Sequence, residues 1–130
     1  MDSSYLVDVL DSDRAHNEGA VAWMESREEP LVTPALCAFE VLRASAGAGE
    51  ERFDRAVGLL RTLTVLDLGL DAAIAAGILD GDLAADGTQL TARDTLVASL
   101  ASRHGYTLLT RDRDFADVPD LAVSFYEECR

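Results

Sequence analysis

Acidic side chains recur near the chain start, within or at the start of predicted helices and at the end of a predicted strand, and their oxygens could share a metal ion. They are Asp2, Glu40, Asp94, Asp112 and Asp114. Carboxylates are the ligands that hard divalent cations prefer in proteins. Acids that met around one cation would form a metal site, whereas scattered acids would only belong to the solvated surface.

Glu40 is the acid with the most apolar surroundings in the sequence, because it lies between Phe39 and Val41 in a predicted helix. A buried carboxylate without a compensating charge is strongly unfavourable. Arg43, three residues on along the same helical face, could supply that charge as an ion pair. A divalent cation shared with other carboxylates could supply it as well. From the isolated helix the ion pair is favoured, since acid–base pairs at this spacing are common.

The other acids also have structural interpretations. Asp94 precedes an apolar run, where an acid near the positive end of a helix is stabilising without any chemistry. Asp112 and Asp114 could be turn residues, and Asp2 could be a terminal acid without a partner. Taken singly, each acid is better explained as structural, so the metal hypothesis depends on their convergence.

Helices and short strands are predicted to alternate along the chain. Apolar spacing, glycines and prolines indicate helices at 4–11, 14–27, 35–46, 50–63, 70–85 and 90–103, and strands at 31–32, 65–68, 107–110 and 122–125. Helices between strands imply parallel crossovers, so we predict an α/β sandwich. Functional residues of such folds gather beyond the carboxyl ends of the strands, where the acids could converge.

The charge balance restricts the possible partners. The chain has a formal charge of −13, with 24 acids against 11 basic residues, all of them arginine. We interpret this surface as that of a protein from a salt-loving host, where molar salt screens self-repulsion within about 3 Å. GC-rich coding bias is the alternative explanation for the missing lysine. The charge argues against binding nucleic acid through phosphate contacts unless cations or local arginines assist.

Length and residue usage add further expectations. The 130 residues predict one domain over 1–130. No segment approaches the roughly 18 apolar residues of a membrane span, and the acidic start lacks a leader pattern, so we expect a cytoplasmic protein without a membrane partner. Cys37 is interpreted as a small core residue, and His16 and His104 as exposed residues at helix ends.

Four segments carry acids in an order shared with a known family. They are Asp2-Ser3-Ser4-Tyr5-Leu6-Val7-Asp8, Ala38-Phe39-Glu40-Val41-Leu42-Arg43, Asp94-Thr95-Leu96-Val97-Ala98-Ser99-Leu100-Ala101 and Leu108-Leu109-Thr110-Arg111-Asp112-Arg113-Asp114-Phe115. Through them, nearly the whole chain resembles the PIN-domain family, and in particular the VapC-type ribonuclease toxins of toxin–antitoxin pairs. The last segment is the most specific local match, and the four together, in register, carry the resemblance.

Two features depart from the family pattern. A short apolar strand usually precedes the first aspartate, whereas only Met1 precedes Asp2. Ser4 stands where asparagine is frequent, and its hydroxyl offers fewer hydrogen bonds. Taking Asp8 as the first ligand would restore the preceding strand, but the hydroxyl and amide residues expected after the ligand are absent there. Asp2 is therefore retained.

The resemblance implies a PIN-like three-layer α/β/α sandwich with a short, mostly parallel central sheet. It also implies a divalent-metal-dependent endoribonuclease, in which Mg²⁺ or Mn²⁺ lies between carboxylates that would otherwise repel one another. The implied catalytic and metal-ligating residues are Asp2, Glu40, Asp94 and Asp112, and the supporting residues are Ser3, Thr110 and Asp114. Arg111 and Arg113 would hold the RNA backbone or screen the neighbouring acids, and screening is favoured.

The same resemblance implies partners. They are an RNA substrate, a cognate VapB-like antitoxin that covers the acidic pocket, and a second copy of the chain in a homodimer. One alternative is a PIN-like protein-binding module without nuclease activity, which an absence of divalent-dependent cleavage would favour. Another is an RNA-processing nuclease outside any toxin–antitoxin pair. A short upstream reading frame for the partner would favour the toxin over that nuclease.

Overall fold

The computed structural model describes residues 32–126, together with positions 17 and 21. Its elements in the range 32–126 are β1 (Val32–Pro34), α1 (Ala35–Ala46), α2 (Glu50–Arg61), β2 (Thr64–Leu66), α3 (Leu70–Ala85), α4 (Ala92–His104), β3 (Leu108–Thr110), a 3-10 helix (Arg113–Asp117) and β4 (Val123–Phe125). They fall into two compact units. The first contains the described residues up to Asp67 and Tyr126, and the second contains Leu68–Phe125.

Proline and glycine set several helix boundaries. Pro34 has φ −65° and ψ 148° directly before α1, which agrees with the fixed φ of proline at a helix start. Gly49 has φ 111° before α2, and Gly105 has φ 69° after α4. A side chain at either glycine would be strained, because L residues rarely adopt such positive φ values.

The first unit is built on a short parallel ladder. β1 pairs with β2 in the register Val32 with Thr64 and Pro34 with Leu66. α1 packs against α2 and against both strands. Fully buried side chains on the two helices, Cys37, Val41 and Ala56, form the core of this unit. The interpretation of Cys37 as a small core residue is confirmed.

The second unit contains a helix pair and a second parallel ladder. α3 packs against α4, and β3 pairs with β4 in the register Leu108 with Val123 and Thr110 with Phe125. All three residues of β3 are buried. Phe115 of the 3-10 helix is fully buried as well, so it anchors the segment that follows β3.

The predicted α/β fold with short parallel strands is confirmed. The helices predicted at 35–46 and 70–85 have those boundaries. The strand predicted at 65–68 instead runs from Thr64 to Leu66, because its partner β1 ends at Pro34 and α1 begins at the next residue. Within residues 32–126 the strands pair as two two-stranded parallel ladders.

Some sequence predictions extend beyond these findings. The predicted helix at 4–11 and most of the one at 14–27 lie outside the described residues. The single domain over 1–130 stays a prediction. Within the part of the chain that the structure describes, no helix combines the length and the apolar content needed to cross a bilayer.

Candidate metal centre

The end of β3 holds two acids through a chain of hydrogen bonds. Thr110, the last residue of the strand, is fully buried, and its hydroxyl accepts a hydrogen bond from the backbone N–H of Asp112 at 3.1 Å. Asp112 in turn caps the 3-10 helix, because its Oδ1 accepts from the N–H of Asp114 at 2.9 Å. The buried strand thus fixes the backbone that carries both carboxylates, as expected for polar residues that bond their own neighbouring backbone.

The first turn of α4 holds the third acid. Thr91 is the N-cap, and its hydroxyl accepts a hydrogen bond from the N–H of Asp94 at 3.2 Å. The Thr95 hydroxyl donates to the Thr91 carbonyl at 2.9 Å. Asp94 is only 8% exposed, and it lies at the positive end of the helix macrodipole, which favours a carboxylate. The interpretation of Asp94 as a first-turn acid is confirmed, and the same position brings it to the other two acids.

Asp94, Asp112 and Asp114 form the candidate metal centre of the second unit. Each offers a carboxylate oxygen, and these oxygens lie within 4.8 Å of one another. Opposite oxygen ligands of Mg²⁺ are about 4.2 Å apart, since each lies at about 2.1 Å. Three carboxylate oxygens with this spread are compatible with a shared cation of this kind. Two of the three residues were predicted as ligands and the third, Asp114, as a supporting residue.

An arginine that the sequence did not single out contacts this centre. Arg93 Nη1 donates to Asp94 Oδ1 at 2.8 Å, and the two side chains are 27% and 12% exposed. Adjacent residues of a helix do not normally face each other, which is why the sequence did not suggest the pair. At the first turn the long arginine side chain can fold back over its neighbour. The Thr91 cap could have been found from its position before an apolar run.

The remaining predicted ligands are not among these three acids. Glu40 is half-buried on α1, in the first unit, and Phe39 beside it is 59% exposed. The expectation that its neighbours would enclose Glu40 in apolar surroundings was therefore wrong. Asp2 and Ser3 lie outside the described residues. The roles of Asp2, Ser3 and Glu40 stay predictions.

Other polar residues near the 3-10 helix have defined contacts. The guanidinium of Arg113 lies over the ring of Phe125, 4.2 Å from its centroid, a cation–π contact that fixes its position. Arg111 is half-buried. His104 is exposed and stacks on Tyr106, with ring centroids 5.6 Å apart. The interpretation of His104 as a helix-end residue is confirmed, and His16 lies outside the described residues.

Comparisons with known proteins agree with the fold. Residues 1–121 match the family model described as PIN domain. One similar structure is VapBC2 from Rickettsia felis bound to a DNA fragment from its promoter, with 16% identity, a TM-score of 0.78 and 96% of each chain covered. Another is a toxin–antitoxin complex from Klebsiella pneumoniae, with 22% identity, a TM-score of 0.80, and 98% of this chain and 97% of that chain covered.

A third similar structure is VapC20 from Mycobacterium tuberculosis, described as a toxin that cleaves the sarcin–ricin loop. It has 15% identity and a TM-score of 0.73, and the match covers 93% of this chain and 96% of that chain. At these identities the likeness is one of fold. Comparison with curated proteins gave no significant match.

Proposed function

This chain belongs to the PIN domain family, and we propose that it is a divalent-metal-dependent endoribonuclease, the toxin of a VapBC-type toxin–antitoxin pair. VapC-type members of the family are generally nucleases. The observation that carries the proposal for this chain is the convergence of Asp94, Asp112 and Asp114, with oxygens within 4.8 Å of one another. Three carboxylates this close repel one another, and a shared cation relieves that repulsion.

The donor set suits Mg²⁺ or Mn²⁺, because all the donors are carboxylate oxygens. When bound, such a cation supplies Lewis acidity that activates water and offsets the charge of a phosphodiester. The protein supplies rigidity. Thr110 and the Asp112–Asp114 hydrogen bond fix one side of the centre, and the Thr91 cap fixes the other. Glu40 and Asp2 are proposed as further ligands on the strength of the family motif.

RNA is the proposed substrate despite the chain's charge of −13. A strongly acidic surface repels phosphates, so affinity for RNA has to come from cations at the centre and from local arginines. The similar VapC20 is described as cleaving the sarcin–ricin loop, which supports a looped RNA as the substrate. We therefore expect cleavage to depend on added divalent cations.

The test is an RNA cleavage assay on the purified chain with and without Mg²⁺ or Mn²⁺. We expect cleavage with the cations and none after chelation, and we expect Asp94→Asn to abolish most of it. Asp71→Asn removes an exposed acid from α3 in the same unit and serves as the matched control. A folded chain that cleaves no RNA with either cation would favour the alternative of a protein-binding module.

The partners proposed for the chain are a VapB-like antitoxin and a second copy of itself. The similar structure from Klebsiella pneumoniae is described as a toxin–antitoxin complex, and the one from Rickettsia felis as VapBC2 bound to promoter DNA, which supports the antitoxin. An apolar stripe on α3 supports the homodimer: Leu70, Ile74 and Ile78 recur every four residues and are 76%, 53% and 63% exposed. Contiguous exposed apolar side chains of this kind mark interaction surfaces.

The stripe can be tested without disturbing the core. We expect Ile78→Glu to convert a dimer to a monomer, as measured by light scattering after size exclusion, because it would place like charges across the interface. The side chain is 63% exposed, so the fold should be retained. An unchanged dimer mass for this variant would assign the contact to another surface.

A further inference from the structure

Arg93 and Asp94 form a hydrogen-bonded ion pair at the candidate metal centre. Asp94 is 8% exposed, and its Oδ1 accepts a 2.8 Å charge-assisted hydrogen bond from Arg93 Nη1. Such bonds are roughly twice as strong as neutral ones. The Arg93 side chain is itself only 27% exposed. Solvent screening of this pair is therefore weak.

The charges of the centre require such a contact. Asp94, Asp112 and Asp114 converge within 4.8 Å, and when ionised they carry three negative charges. The guanidinium of Arg93 offsets one of them at the least exposed carboxylate. Taking a carboxylate out of water without a counter-ion is strongly unfavourable, so a nearly buried Asp94 needs a cation beside it when no metal is bound.

We propose that Arg93 is the counter-ion of Asp94 in the metal-free protein and that it yields this carboxylate when a divalent cation binds. The inference rests on the proposed function, because it assumes that the three acids hold a cation. The guanidinium then has two effects, since it stabilises the metal-free fold and competes with the metal. Arg93 is a positioning residue, because it acts through Asp94.

If Arg93 competes with the metal, its removal changes the cation affinity in the opposite direction from the change expected if it only orients Asp94. If Arg93 only oriented Asp94, its removal would weaken cation binding. If it competes, its removal tightens binding, because a divalent ion no longer has to displace or approach a positive charge a few ångströms away. Even at the dielectric constant of water, repulsion between a divalent ion and a guanidinium about 5 Å away corresponds to roughly a tenfold change in Kd, and weaker screening enlarges the effect.

The experiment is a Mn²⁺ titration of the full chain by calorimetry at low ionic strength. We expect Arg93→Gln to bind Mn²⁺ roughly tenfold more tightly than the parent chain. Arg93→Lys keeps the charge, and its Kd should stay within about twofold of the parent value. Arg103→Gln is the matched control, because it removes the same charge from the same helix at an exposed pair with Asp71, 3.9 Å apart. Its Kd should also be unchanged. Equal or weaker Mn²⁺ binding by Arg93→Gln would overturn the inference.

Folding of the glutamine variant gives a second measurement. If Arg93→Gln is unfolded without metal, the inference requires that saturating Mn²⁺ restores its helical circular dichroism, because the cation then replaces the guanidinium as the counter-ion of Asp94. Failure to refold would overturn the inference. The proposed function fails separately: in that case the parent chain itself binds no Mn²⁺ and cleaves no RNA.

Discussion

Two arginine–aspartate pairs involve opposite ends of α4, and they differ in distance and in exposure to solvent. Near the N-terminus, Arg93 and Asp94 are 2.8 Å apart with side chains 27% and 12% exposed. Near the C-terminus, Arg103 and Asp71 are 3.9 Å apart with side chains 42% and 84% exposed. The first pair adjoins the acidic cluster, and the second lies on the solvated surface.

The two pairs show that the same charges have different energetic effects beside the acidic cluster and on the solvated surface. An exposed, long pair contributes little to stability, whereas a short, nearly buried one leaves an uncompensated carboxylate when its partner is removed. Both pairs carry the same formal charges, and both arginines lie on α4. Matched substitutions at the two ends therefore measure the effect of the local environment with little change in composition.

The largest expected difference between the two ends concerns the acids. Asp94→Asn should lower the rate of metal-dependent RNA cleavage by on the order of 100-fold or more, because it removes a carboxylate ligand. Asp71→Asn should leave the rate within about twofold, because Asp71 is exposed and outside the cluster. Single-turnover cleavage with Mg²⁺ measures both variants. Equal rates for the two would remove Asp94 from the catalytic centre.

A smaller difference is expected for the arginines in the metal-free protein. Arg93→Gln should lower the free energy of unfolding by about 1–2 kcal/mol, because Asp94 loses its counter-ion. Arg103→Gln should lower it by less than about 0.5 kcal/mol. Urea unfolding with a chelator present gives both values. Similar losses at the two ends would show that burial of the first pair has no energetic consequence.

The smallest expected difference concerns the two caps of α4, whose loss should affect stability equally but Mn²⁺ binding at one end only. Thr91→Ala removes the N-cap that binds the Asp94 amide, and Gly105→Ala strains a residue at φ 69°. Each should cost about 1 kcal/mol of stability. Only Thr91→Ala should also weaken Mn²⁺ binding, by a few-fold, because it loosens the turn that carries Asp94. Equal Mn²⁺ affinity in both variants would show that the Thr91 cap does not contribute to metal binding.

Much of the fold could be predicted because its signals are local. The boundaries of α1 and α3 follow from apolar spacing with proline or glycine at the ends. The acids after β3 could be identified because a buried run that stops at carboxylates marks the end of a strand. Their convergence with Asp94 was expected from the position of strand ends in parallel sheets and from family resemblance.

The surroundings of individual side chains were harder to predict. Phe39 and Val41 suggested apolar surroundings for Glu40, yet Phe39 is 59% exposed while Val41 is fully buried. Neighbours in a helix are about 100° apart, so residues at i±1 do not report the face of residue i. The Arg93–Asp94 contact was missed because adjacent residues in a helix are not expected to meet. It depends on how a long side chain folds at a helix terminus.

The central claim is that Asp94, Asp112 and Asp114 share a divalent cation. The most direct measurement is the anomalous diffraction of a crystal of the chain soaked in Mn²⁺. We predict a peak in contact with carboxylate oxygens of all three residues. A strong peak bound elsewhere, with none among these three carboxylates, would contradict the claim.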